Sequence, residues 1–185
     1  MMDESDALIE TRLRSGPAPI TLLRDGRVLD LTLDSEPGCM GRVRLARSKQ
    51  TNAFATGGTV VMTTTMLDYL KNDDELAIVI AHEMAHNILG HAATLDELGV
   101  PRRGVLRGVG ANAARIWQTE EEADRLGLRL AAAAGFDVAA AIPFWRRYYA
   151  DHDVPLQLFR THPSLGARER IARETIAALG EPPPD

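Results

Sequence analysis

Apolar and polar positions alternate through the first third of the chain, whereas later segments repeat near every 3.6 residues, so strands are expected first and helices afterwards. The stretch from Ile20 to Leu33 reads as two strands joined at Asp25-Gly26, a dipeptide that favours a tight hairpin turn between alternating apolar residues. Arg42 to Ala46 reads as a further strand. Asn52-Ala-Phe-Ala55, then Gly57-Gly58, then Thr59 to Thr63 reads as a second hairpin. Ahead of these, residues 5–15 carry a short helical pattern, with Ser5 as cap and Ala7, Leu8 and Leu13 on one face.

Asn72 and Glu75 have capping-box spacing and open a helix with Leu76, Val79, Ile80 and Met84 on its apolar side, running to a stop at Gly99. The Gly- and Arg-rich segment from Gly99 to Ala114 reads as a loop. Thr119 and Glu122 repeat the capping spacing before a helix that ends at Gly135. Asp137 opens another helix through Trp145 and Tyr149, Ser164 to Leu179 forms the last, and residues 181–185 are a tail.

Composition narrows the class. With 185 residues the chain has room for one fully cored domain. It is 45% hydrophobic and only 5% aromatic, which favours helices packed through small side chains over a β-sandwich. Twenty-six acidic against 21 basic residues leave no electrostatic footprint for nucleic acid. A single cysteine, Cys39, excludes an intramolecular disulfide and an all-thiolate zinc site. No stretch reaches the roughly 20 apolar residues of a membrane span. Met1 to Glu10 is acidic and lacks the apolar core of a signal peptide.

The chemistry concentrates in His82-Glu-Met-Ala-His86, inside the strongest helical pattern. Spacing i, i+4 puts both imidazoles on one face, where their nitrogens can reach one ion. Glu83 can then address a water held by that ion. Two histidines in a helix are often mere surface residues, but the flanking apolar run from Ile78 to Ala81 and Ile88-Leu89 implies burial. Unpartnered, such groups would cost about 1–3 kcal/mol each. A catalytic zinc needs a third protein ligand. His91 lies five residues beyond His86, about 140 degrees around a straight helix, and reads instead as a solvent-facing or capping residue. Glu120 and Asp124 share a face at i, i+4, so one can bind metal while the other orients a ligand imidazole. Glu121 and Glu122 read as acids complementing a helix dipole.

Together these residues resemble the zinc metallopeptidase family of HtpX, the BepA-type periplasmic proteases and the CAAX prenyl proteases. Asn52-Ala-Phe-Ala55 with Gly57-Gly58 and Val60-Val-Met-Thr-Thr64 looks like its edge strand, and His82-Glu-Met-Ala-His86 like its zinc motif. Glu120-x-x-x-Asp124 with Gly127 looks like its third-ligand signature; Ala134-Gly-Phe-Asp137 with Phe144-Trp145, and Thr161-His162-Pro163-Ser164 with Arg168, look like its later segments. The metzincin extension is absent, since Leu89 and Ala92 stand where Gly and His are required.

The resemblance implies an α+β gluzincin, a mostly helical body with a small sheet whose edge strand flanks the active-site helix. It implies one zinc on His82, His86 and Glu120, with Asp124 behind them, Glu83 as base, and His162 and Arg168 steadying the oxyanion. Arg168 could instead simply pair with Glu169 or Glu174. Asn52, Ala53, Phe54 and Ala55 would pair with an extended polypeptide substrate. The implied activity is endopeptidase cleavage of extended or misfolded proteins; the alternative is a latent or non-catalytic zinc-containing chaperone that holds unfolded chains. Two departures stand out: there is no membrane span, and only 33 residues separate His86 from Glu120. Arg102, Arg103 and Arg107 could touch a membrane periphery or form a plain loop.

Residues 1–36 look like the end of a PDZ domain ahead of a peptidase domain at 37–180; the alternative is that the hairpin belongs to the peptidase sheet. A PDZ remnant would imply an upstream export signal and a place in the bacterial cell envelope or periplasm; the cytoplasm is the alternative. Oligomeric state is not legible.

Overall fold

The computed structural model describes residues 16–34, 41–101, 109–152 and 163–180. The chain divides into two compact units, Met1–Met40 and Gly41–Asp185. In the first, β1 (Ala18–Arg24) and β2 (Arg27–Leu33) form an antiparallel hairpin with Arg24 opposite Arg27. Its turn residues Asp25 and Gly26 both take positive φ, 51° and 72°, the backbone that a two-residue hairpin turn demands. The expected short helix at residues 5–15 lies outside the described residues.

In the second unit, β3 (Arg42–Ala46), β4 (Ala53–Ala55) and β5 (Thr59–Thr63) form one sheet in the order β3-β5-β4. β3 runs parallel to β5, and β4 runs antiparallel to it. The β1–β2 hairpin is a separate sheet among the described residues. In β5, Val60, Val61 and Met62 are all buried, as a central strand covered on both faces requires. β4 is an edge, and Asn52 pairs with Thr63 just ahead of it through the Thr63 N–H to the Asn52 carbonyl at 3.0 Å.

Thr63 also ends the strand. Its Oγ1 accepts from Met66 N–H and so caps α1 (Thr64–Tyr69), a helix that the sequence pattern did not reveal. Asn72 caps α2 (Asp73–Ile88) by accepting from Glu75 N–H at 2.9 Å, as its spacing predicts. The Glu75 carboxylate departs from the capping-box pattern. It accepts from Lys71 N–H and takes both terminal nitrogens of Arg147, at 2.9 and 2.6 Å.

The helix predicted to reach Gly99 breaks earlier. Gly90 adopts φ 66°, a left-handed conformation, and α3 (His91–Glu97) starts in a new direction. A second correction concerns the next helix, α4, which runs from Gly110 to Ala133 rather than starting at Thr119. Thr119 sits mid-helix, where its hydroxyl donates to the Ile116 carbonyl at 2.8 Å. The loop read over Gly99–Ala114 is therefore helical from Gly110, and residues 102–108 lie outside the described residues.

Asp137 caps a short 3₁₀ turn, Val138–Ala140, which leads into α5 (Ala141–Asp151). Ser164 caps α6 (Leu165–Leu179), as predicted. The core gathers Met62, Met66, Ile78, Val79, Leu128 and Phe144 around α2. A mostly helical α+β body with a small sheet is thus what the chain adopts.

Candidate metal centre

α2 and α4 cross closely because α4 carries Gly127 at the contact. A Cβ there would stand 2.8 Å from both Cα and N of His82, closer than packed atoms tolerate. The buried face of α4 runs Ala113, Ile116, Thr119, Glu120, Ala123, Asp124, Gly127, Leu128 and Ala131, a stripe of helical period. Two acids therefore occupy positions that periodicity would assign to apolar residues. Glu120 is 7% and Asp124 5% exposed, and charges so placed require partners.

Those partners converge from α2 and α6. His82 and His86 lie on one face of α2 with their Nε2 atoms 3.2 Å apart. Glu120 brings Oε2 to 3.7 Å from His82 Nε2 and Oε1 to 3.5 Å from His86 Nε2. Behind them, His82 Nδ1 is 2.9 Å from Asp124 Oδ1. Arg168, from α6, is 3% exposed and donates Nη2 to Glu120 Oε2 at 2.8 Å. Its Nε lies 3.4 Å from Asp124 Oδ2, and its guanidinium carbon sits 3.9 Å from the Trp145 ring centroid. Glu169 and Glu174 pair with other arginines: Arg146 and Arg173 for the first, Arg125 and Arg170 for the second.

The donor set fits a zinc ion. Two imidazole nitrogens and a carboxylate oxygen lie within 4.8 Å of one another. Ligands about 2.0–2.1 Å from zinc at tetrahedral corners would stand about 3.3 Å apart, close to the separations found. Burial opposes protonation of His82, but hydrogen bonding to the Asp124 and then the Glu120 carboxylate outweighs it and pushes its pKa up to about 10. Burial, then the positive charge of His82, pushes His86 down to about 3. Burial likewise opposes the charge on Arg168, yet Asp124 and Glu120 raise its pKa.

Three placements were not foreseen. His91, expected to face solvent or to cap a helix, is 4% exposed, and its Nδ1 lies 2.9 Å from His86 Nδ1. The prediction assumed a straight helix, and the turn at Gly90 carries His91 back toward α2. Glu122, expected only to complement a dipole, reaches His91 Nε2 at 3.1 Å, and Glu121 pairs with Arg125. Gly57 N–H donates to Asn87 Oδ1 at 2.7 Å, tying the β4–β5 turn to the ligand-bearing helix. The only local hint of the first two was Gly90 itself, a helix stop that the longer apolar pattern masked.

Glu83 follows His82 on α2 and is half-buried. Ala53 and Ala55 are half-buried on the edge strand, while Asn52 and Phe54 are exposed. His162 lies outside the described residues, and Pro163 just after it accepts from Tyr149 OH.

The chain matches a model of Peptidase family M48 over residues 35–102 and 104–176. The chain is 31% identical over 162 residues to the beta-barrel assembly-enhancing protease of Yersinia pestis, covering 70% of this chain and 33% of that protein. It is 32% identical over 156 residues to the mitochondrial metalloendopeptidase OMA1 of Schizosaccharomyces pombe, covering 72% of this chain and 46% of that one. The human OMA1 metalloendopeptidase is 31% identical over 150 residues, covering 63% and 29%. The chain thus spans 29–46% of the length of these relatives. Among the described residues, no helix is long and apolar enough to cross a membrane.

Proposed function

The chain belongs to peptidase family M48 and carries a metallopeptidase domain of that family; from that premise we propose that it is a zinc-dependent endopeptidase acting on extended or misfolded polypeptides. The observation that carries this reading is the buried convergence of His82, His86 and Glu120, backed by Asp124 and Arg168. Bound there, zinc would supply a Lewis acid that polarises a scissile carbonyl and lowers the pKa of a water to about 7.

The chain's own residues do the rest. Asp124 fixes His82 by its Nδ1, leaving Nε2 to face the ligand set. Arg168 balances the two buried carboxylates and holds Glu120 by one oxygen. Glu83 takes a proton from the attacking water and passes it to the leaving amine. His162 and Arg168 contribute positive potential where the tetrahedral oxyanion develops, with the role of His162 resting on the family resemblance.

The substrate lies along β4. In the antiparallel β4–β5 pair, hydrogen-bonded positions alternate. Thr63 N–H bonds the Asn52 carbonyl, so the backbone groups of Ala53 and Ala55 point to the open side of the edge. An extended peptide adds there by main-chain bonds, with Asn52 and Phe54 beside it. We assign the peptidase domain to residues 37–180 and read residues 1–36 as PDZ-like; that the chain parts into two compact units near this boundary, at Met40 and Gly41, supports the division. The bacterial cell envelope is the compartment we favour, by analogy with the beta-barrel assembly-enhancing proteases.

Glu83→Gln tests the mechanism. It should keep one zinc per chain and lose casein cleavage by at least about 10²-fold, the scale of a lost general base. Turnover equal to wild type would remove Glu83 from the chemistry.

A further inference from the structure

Both ligand imidazoles are braced from behind, but by different means. His82 meets a carboxylate directly. His86 meets a second imidazole, His91, whose far nitrogen lies 3.1 Å from Glu122 Oε2. Glu122 is itself held by Gln118, whose amide donates to Oε1 at 2.9 Å.

The direction of these hydrogen bonds is fixed by chemistry. An ionised carboxylate only accepts, so His91 Nε2 carries the hydrogen toward Glu122. The other ring nitrogen of a neutral imidazole is then an acceptor. His91 Nδ1 therefore takes a hydrogen from His86 Nδ1, and His86 keeps a bare Nε2 facing His82 and Glu120. The opposite polarity would place a proton on His86 Nε2, where a cation must sit.

We propose that His91 is a positioning residue for the metal centre, and that with Glu122 it locks His86 in the tautomer whose Nε2 is free to ligate. The assignment rests on the reading of His82, His86 and Glu120 as the metal site. It gives Gly90 a purpose, since only the break in the helix there brings His91 within reach.

Zinc affinity, measured by chelator competition on the full chain, tests it. His91→Leu should weaken zinc binding roughly 10–100-fold, the usual cost of losing a group that orients a ligand. His91→Asn, whose side-chain oxygen can accept at the level of Nδ1, should restore most of that loss. Because His91 is buried, Glu122→Ala at an exposed position repeats the test without disturbing the core. Weaker zinc binding in Glu122→Ala supports the relay, and unchanged binding opposes it. Nitrogen-15 spectra of the zinc-loaded protein should show His91 protonated at Nε2 and His86 at Nδ1. Wild type without zinc affinity would remove the metal-site reading and the relay with it. Wild type that binds zinc while His91→Leu binds equally well, or while folded His91→Asn is as weak as His91→Leu, overturns the relay alone.

Discussion

At the scale of single residues, the most consequential position is one without a side chain. Gly127 is where α4 touches the backbone of His82, and a methyl group there would overlap both Cα and N. Gly127→Ala must push α4 away from α2, a form of overpacking that costs about 1–3 kcal/mol. Chemical denaturation should record that loss, and zinc should bind more weakly because Glu120 and Asp124 move with the helix. The spacing of His82 with His86, and of Glu120 with Asp124, already put each pair on one helical face, and the two pairs do meet. The sequence hid the place of His91 beside His86, because one left-handed residue at Gly90 voids the assumption of a straight helix on which its expected placement was based.

Among elements, β4 carries the clearest functional expectation. Its register against β5 gives Ala53 and Ala55 outward backbone groups and turns those of Phe54 into the sheet. Proline removes one N–H and is tolerated at an edge only where that N–H faces outward. Ala55→Pro should therefore stay folded by circular dichroism and lower kcat/KM for peptide cleavage. Phe54→Pro should instead lose a ladder bond and melt at lower temperature. Equal peptidase activity in Ala55→Pro and wild type would take substrate pairing away from this strand. The strands were legible from alternation and Gly-rich turns. Helix starts were less so: Thr119 and Glu122 have the spacing of a cap, but the chain is already helical from Gly110. Local capping chemistry cannot report a turn of helix formed upstream of it by tertiary packing.

For the molecule as a whole, acid stability should depend on a contact outside the metal centre. Glu75 is buried at the start of α2 and is gripped by Arg147 of α5, which also lies over the Tyr69 ring. Burial raises its pKa, but the bonds from Arg147 and Lys71 outweigh burial and leave the pKa below its ordinary value. A lowered folded pKa stabilises the fold fully above the unfolded carboxylate value, and that stabilisation fades as pH falls through the folded one. Glu75→Gln should accordingly lower stability at neutral pH and flatten the loss between neutral and strongly acidic solution. Denaturant midpoints measured across that range would check it, and parallel curves for variant and wild type would contradict it. None of this pairing was visible beforehand, because Glu75 and Arg147 stand 72 positions apart in the chain.

The direct meeting of α2 and α4 has a consequence for the segment that connects them. Their contact is made by Gly127 and the His82 backbone, and the facing ligands reinforce it. The ends of the connection are thus held by packing, whatever runs between them. Closing a flexible loop costs entropy that grows only with the logarithm of its length, about 0.6 kcal/mol for each doubling. The stretch between Glu97, at the end of α3, and Gly110, at the start of α4, can therefore lengthen or shorten at little thermodynamic cost. Evolution can rewrite that stretch for new attachments while His82, His86 and Glu120 stay together.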